Sequence, residues 1–344
     1  MTINIALCTY DGIVLGCDSL SSIAESVVVP NWAEGNPYVL DSDGKPIVDG
    51  DGNWLLKVKT DHFKQIATTV FGGVSKMFCL YQDDDSDTTA AAVTAGMAIL
   101  DGVTIAEQAK RFRRKLKAEN KTFHKVGDVV EEFKQFMYAL WSEDFRKSGF
   151  PDVSYFPTVQ FIVAGYGRDD DHGKVFRIDL IDNSATEQFA QNDHTGVCWG
   201  GTADYVERLL RGSDGVLQYK VNKELVKAMK QQREGTIADL SEALVQAGVE
   251  LPADLDVQIR EEQAPTLPWD SVAADIDYGN LSTQYAVEFV ELLVNIQSGM
   301  QRFARGIPVV GGRTHIGVLK RGERFDMLNE PKLQHKHTGY ADDF

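Results

Sequence analysis

Apolar and polar positions alternate from the start of the chain. Ile3, Ile5 and Leu7 are spaced by polar or small residues, Tyr10-Asp11-Gly12 turns the chain, and Ile13-Val14-Leu15 resumes it. Period-two alternation around an Asp-Gly pair predicts a β-hairpin. Residues 20–56 are rich in Gly, Asp, Asn and Pro and read as an inserted hairpin arm or long loop. A strand pair from about Lys57 to Phe71 follows, closed by Gly72-Gly73. Helical patterns run from Val74 to Leu100, broken by the acidic stretch Asp83 to Asp87, and from Thr104 to Lys147. The second carries Phe133, Phe136-Met137 and Leu140-Trp141 at spacings that make one apolar face. Thr158 to Ala164 and Val175 to Ile181 are strand-like, and Gly200-Gly201-Thr202 opens a helix through Leu210. Residues 213–279 read as a helical insert of two short patterns and a Pro-containing connector. A long amphipathic helix is predicted from Leu281 to Phe303, with Leu281, Tyr285, Phe289, Leu292, Ile296 and Met300 on its apolar side. The last strands are Ile307 to Leu319 and Arg324-Phe325, before a polar tail over 326–344.

Strands, two helices, strands, helices and strands in that order predict helices layered on two packed sheets, not a doubly wound parallel sheet. The 344 residues could hold two average domains, but one large α/β domain with insertions fits equally well and is the one expected. A net charge of −16 argues against a nucleic-acid surface, since phosphate binding needs clustered Lys and Arg. The one basic run, Lys110 to Lys115, reads as a solvated helix face or a contact with an acidic patch on another copy. No apolar run reaches the ~20 residues a membrane span needs, and the start lacks a signal-peptide pattern, so the expectation is a soluble, cytoplasmic protein. Cys8, Cys17, Cys79 and Cys198 are widely spaced and read as reduced thiols rather than disulfide partners or a zinc site. Asp41-Ser42-Asp43-Gly44 and Asp49-Gly50-Asp51-Gly52 invite a calcium reading, but they lack an EF-hand's closing Glu, and turn chemistry is favoured. Gln334-His335-Lys336-His337 reads as tail, not a metal site. No cofactor or metal is expected.

Five segments, in order, resemble the β-type subunits of the proteasome family, including its bacterial HslV-like and ancestral-β-like branches. They are Thr2 to Leu7 with Asp11 to Ser19, Ile66 to Gly73, Phe161 to Tyr166 with Lys174 to Asp179, Trp199-Gly200-Gly201-Thr202, and Val310-Gly311-Gly312. Each motif is common, but their order spans the chain apart from the inserts. The resemblance implies an α/β fold, a four-layer αββα sandwich of two antiparallel sheets between helical layers, of the N-terminal-nucleophile hydrolase class.

The chemistry has its own physical rationale. A threonine hydroxyl needs an adjacent base, and a free α-amine with a pKa near ~7.7–8.0 can serve. Thr2 follows only Met1, so methionine removal would place amine and hydroxyl on one residue. The resemblance implies that Thr2 is the nucleophile and that Asp18 pairs with a lysine beside it. Lys59 is the residue expected at that position; Lys57, Lys64 and His62 are alternatives. Gly72 and Gly73 are expected to offer backbone N–H groups as an oxyanion hole. The sequence also departs from the family: Gly200 or Gly201 stands for the serine of G-S-G, Ile307 for an Asp, and Val310 for the serine of S-G-G.

The leading expectation is a self-assembling threonine hydrolase of peptide or amide bonds, forming a ring or helical homo-oligomer. Its partners would be a peptide or unfolded-protein substrate and an unfoldase or activator, with no nucleic acid and no membrane. The alternative is a catalytically inactive proteasome-like shell or scaffold. A small-molecule amidase on the same fold is a third reading.

Overall fold

The computed structural model describes residues 2–28, 36–57, 63–150, 152–153, 156–191, 193–249, 267–304 and 307–329. The chain divides into two compact units, one of Met1–Thr202 with Tyr278–Phe344 and one of Ala203–Asp277.

The first unit opens with β1 (Ile3–Cys8) and β2 (Ile13–Asp18), the hairpin that the Asp-Gly turn predicts. Next come β3 (Ser21–Val28), β4 (Phe63–Phe71), β5 (Met77–Asp83) and β6 (Thr88–Gly96). Two short strands, β7 (Ile99–Leu100) and β8 (Val103–Thr104), lead into α1 (Ile105–Ala118) and α2 (Val126–Ser148). Then follow β9 (Val159–Tyr166), β10 (Lys174–Asp179), β11 (Ser184–Glu187) and β12 (Gly196–Gly201). The second unit holds α3 (Asp204–Arg211), α4 (Gly215–Gln246) and a 3-10 turn at Trp269–Val272. The chain returns to the first unit with α5 (Thr283–Gln301), β13 (Thr314–Leu319) and β14 (Asp326–Met327).

Two five-stranded sheets carry the first unit, ordered β12-β1-β2-β13-β14 and β11-β10-β9-β6-β5. Every strand pairing within them is antiparallel. Ala6, Leu15 and Cys17 of the first sheet share a buried cluster with Met77, Val93 and Ile162 of the second. The second sheet's other face packs Ala90, Ala92 and Phe161 against Phe112 of α1 and Phe133 and Trp141 of α2. Helix α5 lies against β1, β2 and β13.

Three expectations are corrected here. Residues 74–100 are not helical: they form the β5–β6 hairpin and β7. Alanine favours helices by only a fraction of a kcal/mol per residue, ~0–0.7, and tertiary packing overrides that. Here Ala90 and Ala92 face the helices while Ala91 and Val93 face the other sheet, all fully buried. An Ala-rich strand between two packed layers hides the alternation that sequence reading depends on. The last long strand before the first helix is therefore β6, not the segment around Ile66.

The buried side of α5 also differs. Tyr285, Leu292 and Met300 are exposed, whereas Ala286, Val290, Leu293 and Val294 are buried. The cause is close approach: a Cβ on Gly16 of β2 would lie 2.3 Å from Val290 Cγ1. Gly16 leaves room for Val290, with Val294 packed beside it. In the second unit, the two short helical patterns expected after residue 213 are a single long helix, α4, capped at its start by Asp214, whose carboxylate accepts the Leu217 N–H at 2.9 Å. None of its residues is buried, which accounts for the missing apolar stripe.

The first inserted segment is more regular than its composition implies. β3 and β4 pair with each other as a two-stranded ribbon. Between them, Tyr38, Pro46 and Trp54 stand eight residues apart, as do Val39, Ile47 and Leu55, and Asp41 and Asp49. The backbone repeats with them: Ile47 N–H donates to Val39 C=O and Leu55 N–H to Ile47 C=O, both at 2.9 Å. Each repeated Asp turns its carboxylate onto its own turn. Asp41 Oδ1 accepts the N–H groups of Asp43 and Lys45, and Asp49 Oδ1 those of Asp51 and Asn53.

The four cysteines are free, with Cys8, Cys17 and Cys198 buried and Cys79 partly so. Among the described residues, no helix is long and apolar enough to cross a membrane.

Candidate active site

The site is built where β1 begins and β2 ends. Antiparallel pairing places Asn4 opposite Cys17, which brings Thr2 beside Asp18. Thr2 is buried, and its C=O accepts the N–H of Thr202 at 2.8 Å. This contact explains a departure noted in the sequence. Gly201 has φ +75°, and a Cβ there would lie 1.9 Å from the Thr2 carbonyl oxygen. No serine can stand at Gly201 without moving the start of β1.

Asp18 is almost fully buried and both its oxygens are used. Oδ1 accepts the Ile3 N–H at 3.1 Å and the Lys76 Nζ at 2.8 Å. Oδ2 accepts the Leu20 N–H at 3.2 Å and the Gly311 N–H at 3.0 Å. Gly311 belongs to the Val310-Gly311-Gly312 motif, so that turn holds the acid through its backbone and needs no serine. Ser19 adds a second tie, accepting the Arg313 N–H at 2.7 Å.

Lys76 precedes β5 and reaches back 58 positions to Asp18; its side chain is 5% exposed and that of Asp18 1%. Its ammonium also donates to the Leu20 C=O. Burial pulls the lysine below its ordinary range, and the Asp18 charge and hydrogen bond pull it back up. Next to Asp18, burial pushes the Cys17 thiol up to about 12, so it stays neutral.

Thr2 and Lys76 line one cavity of about 140 Å³. Its other walls are mainly apolar, among them Phe71, Val74, Met97, Ile99 and Ile105, with Gly96 at the end of β6. A larger cleft of about 770 Å³ lies along α1 among Lys110, Arg113, Arg114 and Lys117, but none of the three site residues lines it. Size is not the criterion here, because the smaller cavity is lined by both Thr2 and the buried Lys76.

The structure thus brings Thr2 and Asp18 together. Lys59 and His62 lie outside the described residues; Lys57 is exposed, and of Lys64 only the backbone in β4 is described. Gly72 and Gly73 are exposed, and neither lines the cavity. Sequence reasoning missed Lys76 because it took Gly72-Gly73 as the turn before the first helix. Anchoring instead on Ala95-Gly96-Met97, which ends the strand before α1, would have pointed to the lysine at the head of the preceding strand. It also missed His315 of β13, buried beside Cys17.

Compared with known proteins, the chain matches no protein-family model and no curated protein. Among solved structures it is similar to an Anbu (Gly-1) mutant from Hyphomicrobium sp. strain MC1, at 10% identity and a TM-score of 0.46. That alignment covers 95% of this chain and 87% of the other. It is also similar to Anbu (ancestral beta-subunit) from Yersinia bercovieri, at 10% identity, a TM-score of 0.44 and the same coverage of 95% and 87%. At such identities and scores, no residue role carries across from either protein.

Proposed function

We propose that this chain is a threonine-dependent hydrolase of peptide or amide bonds, on a four-layer αββα fold of the N-terminal-nucleophile class. The observation that carries this reading is the buried Lys76–Asp18 pair, whose lysine lines one mainly apolar cavity together with Thr2. A buried ion pair is costly to keep, and its partners sit where they can bias a reacting group.

The reaction requires processing that leaves Thr2 first in the chain. The Thr2 hydroxyl then attacks the carbonyl carbon while its proton passes to the α-amine. As the C–N bond breaks, the leaving amine takes that proton, and an ester to Thr2 remains. Water attacks the ester, giving the acid and restoring the hydroxyl. The Lys76 ammonium, fixed by Asp18, favours the unprotonated amine and stabilises developing negative charge on the threonine oxygen. Lys76 takes the role for which Lys59 was expected. Gly96, which lines the cavity, is a better-placed candidate for the backbone oxyanion donor than Gly72 or Gly73.

The cavity also suggests a substrate class. About 140 Å³ of mainly apolar space suits a medium aliphatic side chain on the acyl side of the cut, such as leucine or methionine. An acidic side chain would lose its hydration there with only Lys76 to meet it. The expected setting is a cytoplasmic ring or helical homo-oligomer, supplied with unfolded chains by an unfoldase or activator.

One observation favours the second reading, a shell without catalysis: the close approach at Gly201 leaves no room for the hydroxyl of the G-S-G motif. Intact-mass analysis and fluorogenic peptide turnover separate the two. The hydrolase reading expects a chain beginning at Thr2 that cleaves after leucine faster than after glutamate, with Thr2→Ala inactive. A chain that keeps Met1 and turns over no peptide or acyl-amide substrate would leave the shell.

A further inference from the structure

We propose that His315 is a positioning residue of the Thr2 site, acting through Lys76 and Asp18 as a neutral imidazole and adding a second acid limit to the reaction. This rests on the hydrolase reading above. Strand β13 runs beside β2 with His315 opposite Cys17 and Thr314 opposite Asp18. Residues directly opposite in an antiparallel pair share a face, so His315 faces the space between the two sheets, as Cys17 does. Gly317, two residues on and on the same face, marks what crosses it: a Cβ there would lie 2.6 Å from Met77 Sδ. Met77 directly follows Lys76. The head of β5 therefore passes over β13, and His315 stands on the Asp18 side of that crossing, where Lys76 reaches its carboxylate.

His315 is 2% exposed, and its Nε2 has no hydrogen-bond partner among the described residues. The charged groups acting on it are Asp18 from β2, Lys76 from the approach to β5, and Arg313 just before its own strand; the Cys17 thiol opposite it on β2 is uncharged. Two cations against one carboxylate leave no compensation for a third positive charge in a buried place. Burial, Lys76 and Arg313 all lower the imidazole's proton affinity, and only Asp18 opposes them. A neutral ring does not compete for the pair. An imidazolium would repel the Lys76 ammonium and draw on the same Asp18 carboxylate.

The consequence is a two-step acid limb. Protonation of the Thr2 amine removes the base, and below it protonation of His315 disrupts the pair. The logarithm of the rate should fall with a slope of one and then of two. One pH unit below the second midpoint, the extra loss is roughly tenfold.

The test has two arms. In the first, the His315 ring is followed by NMR in the full-length protein, assigned with His315→Gln. The proposal expects a midpoint below the ordinary histidine value of ~6.5 that rises in Lys76→Met and falls in Asp18→Asn. A midpoint at or above that value, or one indifferent to both substitutions, overturns it. In the second arm, the rate of Thr2 acylation by a β-lactone is measured from pH 8.5 to 4.5. Wild type should show the steepening and His315→Gln a single slope of one; equal slopes in the two overturn the proposal. His315→Asn, with thermal unfolding of each variant, guards against a variant that fails to fold. If Thr2 is never acylated at any pH, the hydrolase reading falls, while the first arm still decides whether His315 answers to the pair.

Discussion

Two hollows on the first unit differ in nearly every respect. The cleft along α1 is large and charged, and its ion pairs stand in solvent. Arg114 meets Glu107 at 2.5 Å, but their side chains remain 67% and 38% exposed. The cavity at Thr2 is about one-fifth the volume, by 140 against 770 Å³, and its ion pair is almost wholly buried. An exposed pair is screened by water and salt and costs side-chain entropy to hold. A buried pair feels a far lower effective dielectric, so each partner fixes the other's charge and position. Reactive capacity follows desolvation and fixed geometry, not the number of charges or the size of the hollow.

The sharpest way to break that contrast is Thr2→Ala. Acylation by a β-lactone should drop to background, because on the proposed mechanism only a Thr2 that begins the chain carries hydroxyl and α-amine on one residue. Lys76→Met comes next. It leaves the Asp18 carboxylate buried with three N–H partners and no cation, and should cost about 3–5 kcal/mol in chemical denaturation, besides slowing acylation. Gly201→Ala should cost about 2–3 kcal/mol, since its Cβ needs the space of the Thr2 carbonyl and φ is +75°. It should also lower acylation, by moving Thr2. In the cleft, Arg114→Ala should change stability by no more than about 1 kcal/mol, and less at high salt. An Arg114 effect as large as that of Lys76 would erase the distinction.

A pH titration of stability sharpens the same comparison. The folded His315 binds its proton less readily than the unfolded one. Between ~6.5 and the lower folded value, the unfolded chain therefore carries more protons, and stability falls as pH drops through that window. His315→Gln should remove that slope, as read from denaturation midpoints between pH 7 and 5.

What the sequence made legible follows sequence distance. Thr2 and Asp18 stand at the open end of the hairpin that the alternation of Ile3, Ile5 and Leu7 with Ile13 to Leu15 predicts, and the family resemblance named both. Lys76 comes from beyond an insert, and nothing local marks it. Its strand partner β6 is rich in alanine and reads as helix, because burial on both faces removes the period-two contrast. The face of α5 misled for a related reason. Gly16 makes room for Val290 and Val294, so the stripe with Tyr285 and Leu292 faces outward, against the usual rule that the bulkiest stripe is buried. The octad repeat of residues 38–56 was open to view in the sequence, but reading Asp41 and Asp49 only as turns or ligands hid the apolar triplets between them. His315 looked like any strand histidine, since only the register of β13 on β2 reveals what lies beside it.

The central claim is that a hydroxyl held beside the Lys76–Asp18 pair is a nucleophile. Peptide mapping of the β-lactone-treated protein by mass spectrometry addresses it directly. The account predicts a single adduct on the hydroxyl of a Thr2 that begins the chain, formed more slowly in Lys76→Met protein that is still folded. An unmodified Thr2, or an adduct that persists undiminished without Lys76, would contradict it.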